Sequence, residues 1–473
     1  MVFSSIEFLF FFLPVTLILY FAVPKKYLKA RNVVLLVFSL IFYGWGEPLY
    51  VFLMVFSVLC SYLFGYMVGR EKQKGEQKKA RAWLIVAVIV NIGLLSFFKY
   101  TDLMIGTVNA LFGTSLKTLG LALPIGISFY TFQILSYVVD VYRGEATVQK
   151  NLPALATYVT LFPQLIAGPI VRYRDVDGQL TARGHSLFLF SSGLRTFICG
   201  LSKKVLLANA AAFFFGMLTD VPAEHRTVAG AWLGIILFSF QIYFDFSGYS
   251  DMAIGLGKMF GFRFLENFHY PYISRSVTEF WRRWHISLST WFREYVYIPL
   301  GGSRVDKKWK LFRNLLVVWL LTGFWHGASW NFVLWGLLFF VFLVVEKAFL
   351  LKWLEKAPRA VGHLYTLLVV LFGWLLFNFT DMAEGLSWLG AMFGFGASGF
   401  IDGFTLSVLL RALTLLVFLV IGSTPLPKKT YYKLSERSGA LRVVFAVGAL
   451  ALTVLCTANV VSSDFNPFLY WRF

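Results

Sequence analysis

The sequence predicts an all-α integral membrane protein with about eleven transmembrane helices and further re-entrant or interfacial helices. Of its 473 residues, 58% are hydrophobic and only 14% are charged, whereas about a quarter of the residues in a soluble domain are charged. The apolar residues fall into blocks of roughly twenty, the length of helix that crosses a hydrocarbon core of about 30 Å. Because the sequence shows neither a repeat at solenoid spacing nor a low-complexity tract, residues 1–473 are expected to form a single polytopic domain.

The N-terminal part contains the most regular apolar blocks. The first five spans are predicted at Phe8–Val23, Val33–Trp45, Tyr50–Val68, Trp83–Phe98 and Leu119–Val141. The segment Met1–Tyr20 has no basic region and no small-residue cleavage site, so it is predicted to be a retained span rather than a signal peptide that is removed.

Two clusters of positive charge predict the orientation of these spans. Lys25–Arg31 lies between the first two spans, and Arg70–Arg81, with four Lys and two Arg, lies between the third and the fourth. Two crossings separate the clusters, so both can lie on one side, which the positive-inside rule assigns to the cytoplasm. The N-terminus and the turn Gly46–Pro48 are then expected to face the outside.

The later apolar blocks are less regular. Pro163 and Pro169 interrupt Leu152–Val171, so a broken helix is predicted there. A polar segment, Ser274–Arg313, separates two groups of later spans. The later apolar blocks are Ser186–Phe215, Ala229–Phe260, Leu315–Phe324, which runs on through His326, Phe332–Leu350, Leu364–Phe379, Leu386–Phe395, Leu406–Ile421 and Val443–Val461. About eleven of all the blocks are expected to span the membrane, and the others are ambiguous.

Charge and cysteine content exclude several classes of protein. The net charge of +19 lies in short clusters between apolar blocks, which indicates positive-inside bias and attraction to anionic lipid rather than nucleic-acid binding. The three cysteines, Cys60, Cys199 and Cys456, are widely spaced in apolar runs. Neither a disulfide framework nor a metal site is therefore predicted.

Two carboxylates, Asp245 and Asp251, lie in the apolar run Tyr243–Ala253. Buried charges are costly in a bilayer, so they indicate a functional or structural network. Their spacing places them on different faces of a helix, and an acid/base dyad is not expected. The favoured interpretation is that one caps a helix end and the other pairs with an arginine, with direct catalysis as the alternative.

The segment Glu279–Arg293 alternates aromatic or apolar positions with arginine and histidine. This pattern is typical of an amphipathic helix at the membrane surface, or of a re-entrant helix beside a polar cavity. The positive charge continues through Arg304, Lys307, Lys308, Lys310 and Arg313. It favours a cytoplasmic loop, with a phosphate-binding surface as the alternative.

A histidine, His326, lies inside a later apolar block. On a continuous helix, Thr322, His326 and Ser329 or Trp330 would share one face. Histidine can both accept and donate a proton near neutral pH. The polar neighbours and a second histidine, His285, favour a catalytic role, and the alternative is a packing histidine that bonds a neighbouring carbonyl.

The residues around these two histidines complete the candidate site. Gly323 and Gly327 would let another backbone or a substrate come close. His269, in a turn-rich stretch, is a candidate to line the same cavity. Three further histidines lie in or beside polar connections, where solvation explains them: His185, His225 and His363. The sequence contains no GxSxG element, so a hydrolase nucleophile elbow has no support.

At these residues the sequence resembles the membrane-bound O-acyltransferase family, most closely the bacterial branch that contains the membrane subunit of alginate O-acetylation. The resemblance rests on Leu123–Tyr130 with Gln133, Tyr137 and Asp140, on Phe162–Ile170, on Tyr243–Ala253 and on Trp281–Trp335. Together with the hydropathy pattern these stretches cover most of the chain, and residues 115–350 would form the family core. Beyond residue 350 the chain resembles the family only in length and hydropathy.

The resemblance implies a ring of helices around a central catalytic tunnel, where a cytoplasmic thioester meets a hydroxyl group from outside. The family's essential histidine corresponds to His326, and a second, more variable position corresponds to His285. His326 would be the base, and His285 would orient or protonate a leaving thiolate. Arg282 and Arg283 are candidates to bind phosphates of the acyl donor, with simple cytoplasmic anchoring as the alternative.

The function expected from this resemblance is acyl transfer, with acetyl favoured, to a hydroxyl of an extracytoplasmic polysaccharide or of a partner acetyltransferase protein. The donor would be acetyl-CoA or an acyl-carrier thioester, with no bound cofactor, no metal and no nucleic acid. The chain would lie in the cytoplasmic (inner) membrane as a multi-pass protein. The alternatives are D-alanyl transfer to teichoic acid, a transporter or flippase of a lipid-linked sugar, and a non-catalytic scaffold for an acetylating partner.

Overall fold

The computed structural model describes residues 1–462 and Leu469, and in this part of the chain all regular structure is helical. The chain divides into two compact units. The first contains Met1–Phe197 and Asp251–Leu265, and the second contains Ile198–Ser250 and the described residues from Glu266 onward. The all-α membrane fold is confirmed.

Nine helices among the described residues are long and apolar enough to cross a membrane. They are Leu28–Gly46, Tyr50–Gln73, Gln77–Phe112, Leu187–Thr219, Val228–Met259, Trp330–Lys356, Arg359–Asn378, Gly403–Gly422 and Gly439–Ser462. Large apolar side chains remain exposed on them, for example Val443, Val447 and Leu450 on the last helix. Such faces are favourable only against lipid, so the chain is a multi-pass membrane protein.

The count of about eleven spans is not confirmed, because several predicted blocks form shorter or more polar helices. Glu7–Ala22 is apolar but is classed among the shorter helices. Ile127–Arg143 has only 17 residues, and Met382–Met392 has only 11. Lys308–His326 has 19 residues but carries several cations in its first turns. Block length in the sequence therefore does not fix helix length, since Ile127–Arg143 is shorter than its predicted block whereas Lys308–His326 is longer.

The first eight α-helices belong to the first unit. They are α1 (Leu13–Ala22), α2 (Leu28–Gly46), α3 (Tyr50–Gln73), α4 (Gln77–Phe112), α5 (Ile127–Arg143), α6 (Leu152–Thr160), α7 (Phe162–Leu165) and α8 (Tyr173–Thr181). The predicted break at the prolines is confirmed between α6 and α7, where the backbone amide of Phe162 donates to Ser39 Oγ at 3.1 Å. Gly126, just before α5, has φ +75°, and a Cβ there would lie 2.8 Å from the Leu165 carbonyl oxygen. The turn before α5 therefore requires glycine.

The other thirteen α-helices continue to the end of the described chain. They are α9 (Leu187–Ser202), α10 (Asn209–Thr219), α11 (Val228–Met259), α12 (Val277–Arg283), α13 (Ile286–Phe292), α14 (Lys308–His326), α15 (Trp330–Val345), α16 (Leu351–Lys356), α17 (Arg359–Asn378), α18 (Met382–Met392), α19 (Gly403–Gly422), α20 (Leu426–Arg437) and α21 (Gly439–Ser462). Short π-helical segments join α9 to α10 and α15 to α16.

Helices α14 and α15 approach each other through glycines. A Cβ at Gly323 would collide with the Phe332 carbonyl oxygen, and a Cβ at Gly336 would collide with the Trp319 carbonyl oxygen. Gly327 is equally confined, by the Phe332 ring. The close approach predicted from Gly323 and Gly327 is confirmed, and it holds the helix that carries His326 against α15.

We expect Gly323→Ala to lower the free energy of unfolding of the purified protein by about 1–3 kcal/mol or more. The added Cβ would strike backbone atoms of Phe332, and these cannot rotate away. The measurement is thermal unfolding in detergent. Gly216→Ala is the matched control, since Gly216 also lies inside a helix but has open space at its Cβ position. Equal melting temperatures for the two variants would contradict this packing.

Candidate active site

His326 is the last residue of α14, and the extended backbone of Gly327 ends the helix there. Its side chain is buried among three aromatic rings. The ring centroids of Trp325, Trp335 and Phe377 lie 5.0, 4.9 and 5.2 Å from that of His326. An aromatic enclosure of this kind excludes water, which strengthens electrostatic interactions inside it.

The helical face predicted for this segment is only partly correct. Thr322 and His326 do lie on one helix, but Ser329 precedes α15 and Trp330 begins it. The hydroxyl of Thr322 donates to the Val318 carbonyl at 2.7 Å. The reason for the error is the helix end at His326, which separates the later residues from this face.

His285 lies between α12 and α13 with φ 43°, in the left-handed region. Among the described residues, only Tyr270 shares such a positive φ without being glycine. The single amphipathic or re-entrant helix predicted over Glu279–Arg293 is therefore wrong, because the chain turns sharply at His285. Non-glycine residues held in this conformation are enriched at functional sites, where the surrounding contacts offset the strain.

The His285 side chain is fully buried in an aromatic setting. Its ring centroid lies 4.6 Å from that of Phe246 on α11 and 6.0 Å from that of Trp325 on α14. Its Nε2 atom is buried, and no described residue supplies a hydrogen-bond partner for it. A polar atom left in this state is expected to meet a group that is not part of the chain.

Trp325 contacts both histidine rings, so the two candidate catalytic histidines belong to one site. His285 lies outside the nine candidate spans. Burial, followed by the positive charge of a protonated His326, lowers the pKa of His285 well below its usual range. At neutral pH His285 is therefore an uncharged imidazole that can accept a proton or a hydrogen bond.

One buried indole group, that of Trp335, lies beside His326, and a second, that of Trp281, lies one ring further away. The Nε1 atoms of Trp335 and Trp281 have no hydrogen-bond partner in the described part of the chain. The Trp335 ring touches His326, and the Trp281 ring centroid lies 5.5 Å from that of Trp335. An indole nitrogen can only donate, so these groups can bind an acceptor such as a carbonyl oxygen.

The N-terminus of α12 is held by a buried carboxylate. Glu346 accepts hydrogen bonds from the backbone amides of Val277 at 2.6 Å and Thr278 at 2.8 Å. Ser276 caps the same end by accepting from the Glu279 amide at 3.0 Å. Negative charge at a helix N-terminus is stabilising. These contacts fix the short helix that leads into His285.

The two predicted phosphate-binding arginines lie in different environments. Arg283 pairs with Glu279 at 2.8 Å and donates to the His269 carbonyl oxygen at 3.1 Å. Arg282 is exposed and lies close enough to Lys347 for the two positive charges to repel. Only Arg282 therefore presents its guanidinium mainly to solvent.

His269 does not line the cavity. Its side chain is exposed, and its Nδ1 lies 3.2 Å from a Glu266 carboxylate oxygen. The prediction that it shares the cavity of the other histidines is wrong, because its loop turns the ring outward.

Asp245 forms a buried ion pair with a lysine on another helical segment. Its Oδ1 lies 2.8 Å from Lys204 Nζ, and its Oδ2 accepts from the Leu469 amide at 2.9 Å. Lys204 also donates to Asn209 Oδ1 at 2.9 Å. The cationic partner of Asp245 is thus a lysine. Neither Asp245 nor Asp251 caps a helix end, because α11 runs unbroken past both.

Four residues that shape the site were not assigned a role from the sequence. Asn267 bonds the His285 segment, Trp335 lines His326, Glu346 anchors α12 and Lys204 neutralises Asp245. The turn-rich stretch around Asn267 was noted, and polar residues within apolar blocks were a usable signal for Lys204 and Glu346. Nothing in the sequence distinguishes Trp335 from the other tryptophans.

The chain is similar to known membrane-bound acyltransferases. The family model "MBOAT, membrane-bound O-acyltransferase family" matches residues 37–387, which include both histidines. The probable alginate O-acetylase AlgI of Pseudomonas putida is 39% identical over an alignment that covers 100% of both chains. The peptidoglycan O-acetyltransferase of Helicobacter pylori is 36% identical over 83% of this chain and 80% of its own. The teichoic acid D-alanyltransferase of Bacillus subtilis is 30% identical over 54% of this chain and 67% of its own.

Proposed function

The chain belongs to the membrane-bound O-acyltransferase family, and from this premise we propose that it transfers an acetyl group from a cytoplasmic thioester to an extracytoplasmic hydroxyl. The hydroxyl would belong to a polysaccharide or to a partner protein that modifies one. The chain would act in the cytoplasmic membrane. The observation that carries the proposal is that two buried histidines, His326 and His285, both contact the ring of Trp325.

The relatives favour acetyl over D-alanyl transfer. The relative named as an alginate O-acetylase matches the whole chain, whereas the relative named as a teichoic acid D-alanyltransferase matches about half of it. Both alternatives use the same chemistry at the histidines, so the site geometry alone does not separate them.

His326 is assigned as the general base. Transfer begins when His326 removes the proton of the acceptor hydroxyl as its oxygen attacks the thioester carbonyl carbon. The tetrahedral intermediate then collapses, the carbon–sulfur bond breaks, and the proton passes to the leaving thiolate. Proton transfer by a positioned base contributes about 10²–10⁴-fold to such a rate.

The developing negative charge on the carbonyl oxygen requires hydrogen-bond donors. Trp335 supplies a buried indole N–H next to His326, and Trp281 supplies a second one beyond it. We assign Trp335 as the principal donor because its ring is in direct contact with His326. Fixed donors in a dry site stabilise charge more than water does.

His285 is assigned an orienting role. Because its ring is neutral, it can protonate a leaving thiolate only after it has first taken up a proton. Its unpartnered Nε2 is suited to hold the acceptor hydroxyl, or a protonated His326, in position.

The acyl donor is proposed to bind at the positive surface formed by Arg282 and Lys347. We expect Arg282→Gln to raise the KM for acetyl-CoA or an acetylated carrier protein about five- to tenfold with kcat little changed, because an exposed charge contributes to binding but not to chemistry. The effect should shrink as salt is added. Arg437→Gln is the control, since Arg437 is also an exposed cation but lies at the end of α20. An equal KM change in both variants would indicate general attraction and contradict a donor site at Arg282.

The proposed function is tested with purified protein in liposomes, radiolabelled acetyl-CoA or acetyl-carrier protein, and an oligosaccharide acceptor with or without a periplasmic partner. We expect label to appear in an ester that mild base releases. A transporter of lipid-linked sugars would instead move a labelled glycolipid without any acetyl donor. A scaffold for an acetylating partner would give ester only with the partner present, and at the same rate in His326→Gln, and that result would overturn the proposal.

A further inference from the structure

Asn267 is buried beside His285 and makes contacts that its place in a turn-rich loop did not suggest. Its Oδ1 accepts hydrogen bonds from the Ser287 amide at 3.1 Å and the Ser287 hydroxyl at 2.9 Å. The same oxygen lies 3.2 Å from His285 Nδ1. Its Nδ2 donates to Ser250 Oγ on α11 at 3.0 Å. The side chain therefore links α11 to the segment that contains His285.

The orientation of the Asn267 amide follows from these partners. A backbone N–H can only donate, so the Asn267 atom that faces the Ser287 amide must be the oxygen. An amide oxygen can only accept, so the same oxygen requires that His285 Nδ1 carries the proton and donates it. A neutral imidazole has one N–H, and His285 Nε2 is therefore left with its lone pair.

The backbone of Asn267 strengthens this arrangement. Its carbonyl oxygen accepts from the Ile286 amide at 2.9 Å. Three consecutive residues, His285 to Ser287, are thus bonded to one asparagine, and the first of them has the left-handed φ of 43°. These bonds offset the strain of that conformation and fix the direction of the imidazole ring.

We propose that Asn267 is a positioning residue that selects the Nδ1–H tautomer of His285 and directs the Nε2 lone pair towards the reacting groups. The inference rests on the proposed function for its consequence in catalysis, but the tautomer itself does not depend on it. Asn267 touches no substrate atom, and it acts only through His285.

The surroundings of His285 leave few other groups that could set its protonation. Among the described residues, His326 is the titratable neighbour whose charge acts on His285. The remaining ring contacts are aromatic and uncharged: Phe246 on α11, Phe268 in the loop before α12, and Trp325 on α14. Ser287 Oγ lies 3.5 Å from Nδ1, a weaker contact than that of Asn267. Asn267 is therefore the main partner of Nδ1.

The tautomer is measured directly by NMR on detergent-solubilised protein with ¹⁵N-labelled histidine, and the His285 signal is identified by its loss in His285→Gln. We expect the Nδ1–H tautomer in the unmodified chain and in Ser250→Ala, which removes only the partner of Asn267 Nδ2. In Asn267→Ala we expect a mixture of tautomers, and kcat for acyl transfer falls at least about tenfold with the donor KM nearly unchanged.

Asn267→Asp provides a second variant that keeps the acceptor oxygen facing Ser287 and so guards against simple misfolding. A carboxylate stabilises the imidazolium, so the pKa of His285 should rise. The low-pH limb of the kcat/KM profile should then move to higher pH, by about one unit or more. A purely structural role for Asn267 would lower the amount of folded protein without moving this limb.

The inference is overturned if the unmodified chain shows the Nε2–H tautomer, or if Asn267→Ala leaves the tautomer unchanged. These spectra need no substrate. If they show the Nδ1–H tautomer while the chain transfers no acyl group, the proposed function fails and the assignment of Asn267 stands.

Discussion

Replacing His326 by glutamine is expected to lower kcat for acyl transfer by about 10²–10⁴-fold, because the acceptor hydroxyl then loses its general base. Glutamine keeps a polar side chain of similar length inside the enclosure of Trp325, Trp335 and Phe377, so the effect on folding should be smaller than that of alanine. Since the base acts only in the transition state, the donor KM should change little while kcat falls.

The measurement is transfer of labelled acetyl in liposomes, at saturating donor, with folding checked by size exclusion and thermal unfolding. His225→Gln is the matched control, because His225 is exposed in a short turn before α11 and contacts none of the site residues. Transfer at the unmodified rate in His326→Gln would remove His326 from the chemistry. A loss in both variants would point to a general effect on the protein instead.

The prediction also separates the two histidines. His285→Gln should be less damaging than His326→Gln if His285 only orients the reacting groups. Its main signature should be a changed pH dependence, because a titratable neighbour of His326 has been removed. The reverse ranking would assign the base to His285, and the family assignment would be unaffected.

The sequence was sufficient to predict the membrane fold, because apolar block length and low charge are properties of the chain itself. The sequence was less able to predict which of the apolar blocks span the membrane. Ile127–Arg143 has only 17 residues because the first eight residues of its predicted block, 119–126, are not helical, and Met382–Met392 has only 11 residues. Helix ends in a membrane protein depend on contacts with other helices, and these are not encoded in a local window.

The two histidines could be predicted as candidates because ionisable residues in apolar blocks are rare and costly. Their geometry could not. The left-handed backbone of His285 is stabilised by Asn267, which lies 18 residues earlier in the chain. A helical pattern over Glu279–Arg293 gives no sign of this turn, because aromatic and basic residues continue at helical spacing on both sides of it.

The ion pair between Asp245 and Lys204 shows a related limit. The sequence indicated that a buried carboxylate needs a cationic partner, and this requirement is met. The partner itself could not be chosen, since Lys204 lies on a different helical segment and many arginines are nearer in sequence to Asp245. The chemistry of a buried carboxylate requires a cationic partner, but only tertiary packing determines that this partner is Lys204.

Trp335→Phe is expected to lower kcat by about 10²–10³-fold, the usual cost of removing one donor to a developing oxyanion. Phenylalanine keeps an aromatic ring against His326 and Phe377 but removes the buried Nε1–H, which no described residue engages. If the indole instead bound the acyl donor as strongly in the ground state as in the transition state, Trp335→Phe would raise KM and leave kcat unchanged. The split between kcat and KM therefore reports when the hydrogen bond forms.

The control for this variant is Trp330→Phe, at the start of the same helix, where the side chain is 53% exposed. It should transfer acetyl at the unmodified rate. Trp281→Phe should have an intermediate effect, because its N–H lies one ring further from His326.

The assay measures labelled acetyl transfer and, in the absence of acceptor, slow hydrolysis of the acyl donor. Trp335→Phe should lower both rates, since both reactions pass through the same oxyanion. A Trp335→Phe rate within about twofold of the unmodified rate would exclude the indole as the donor. The charge would then have to be stabilised by another hydrogen-bond donor.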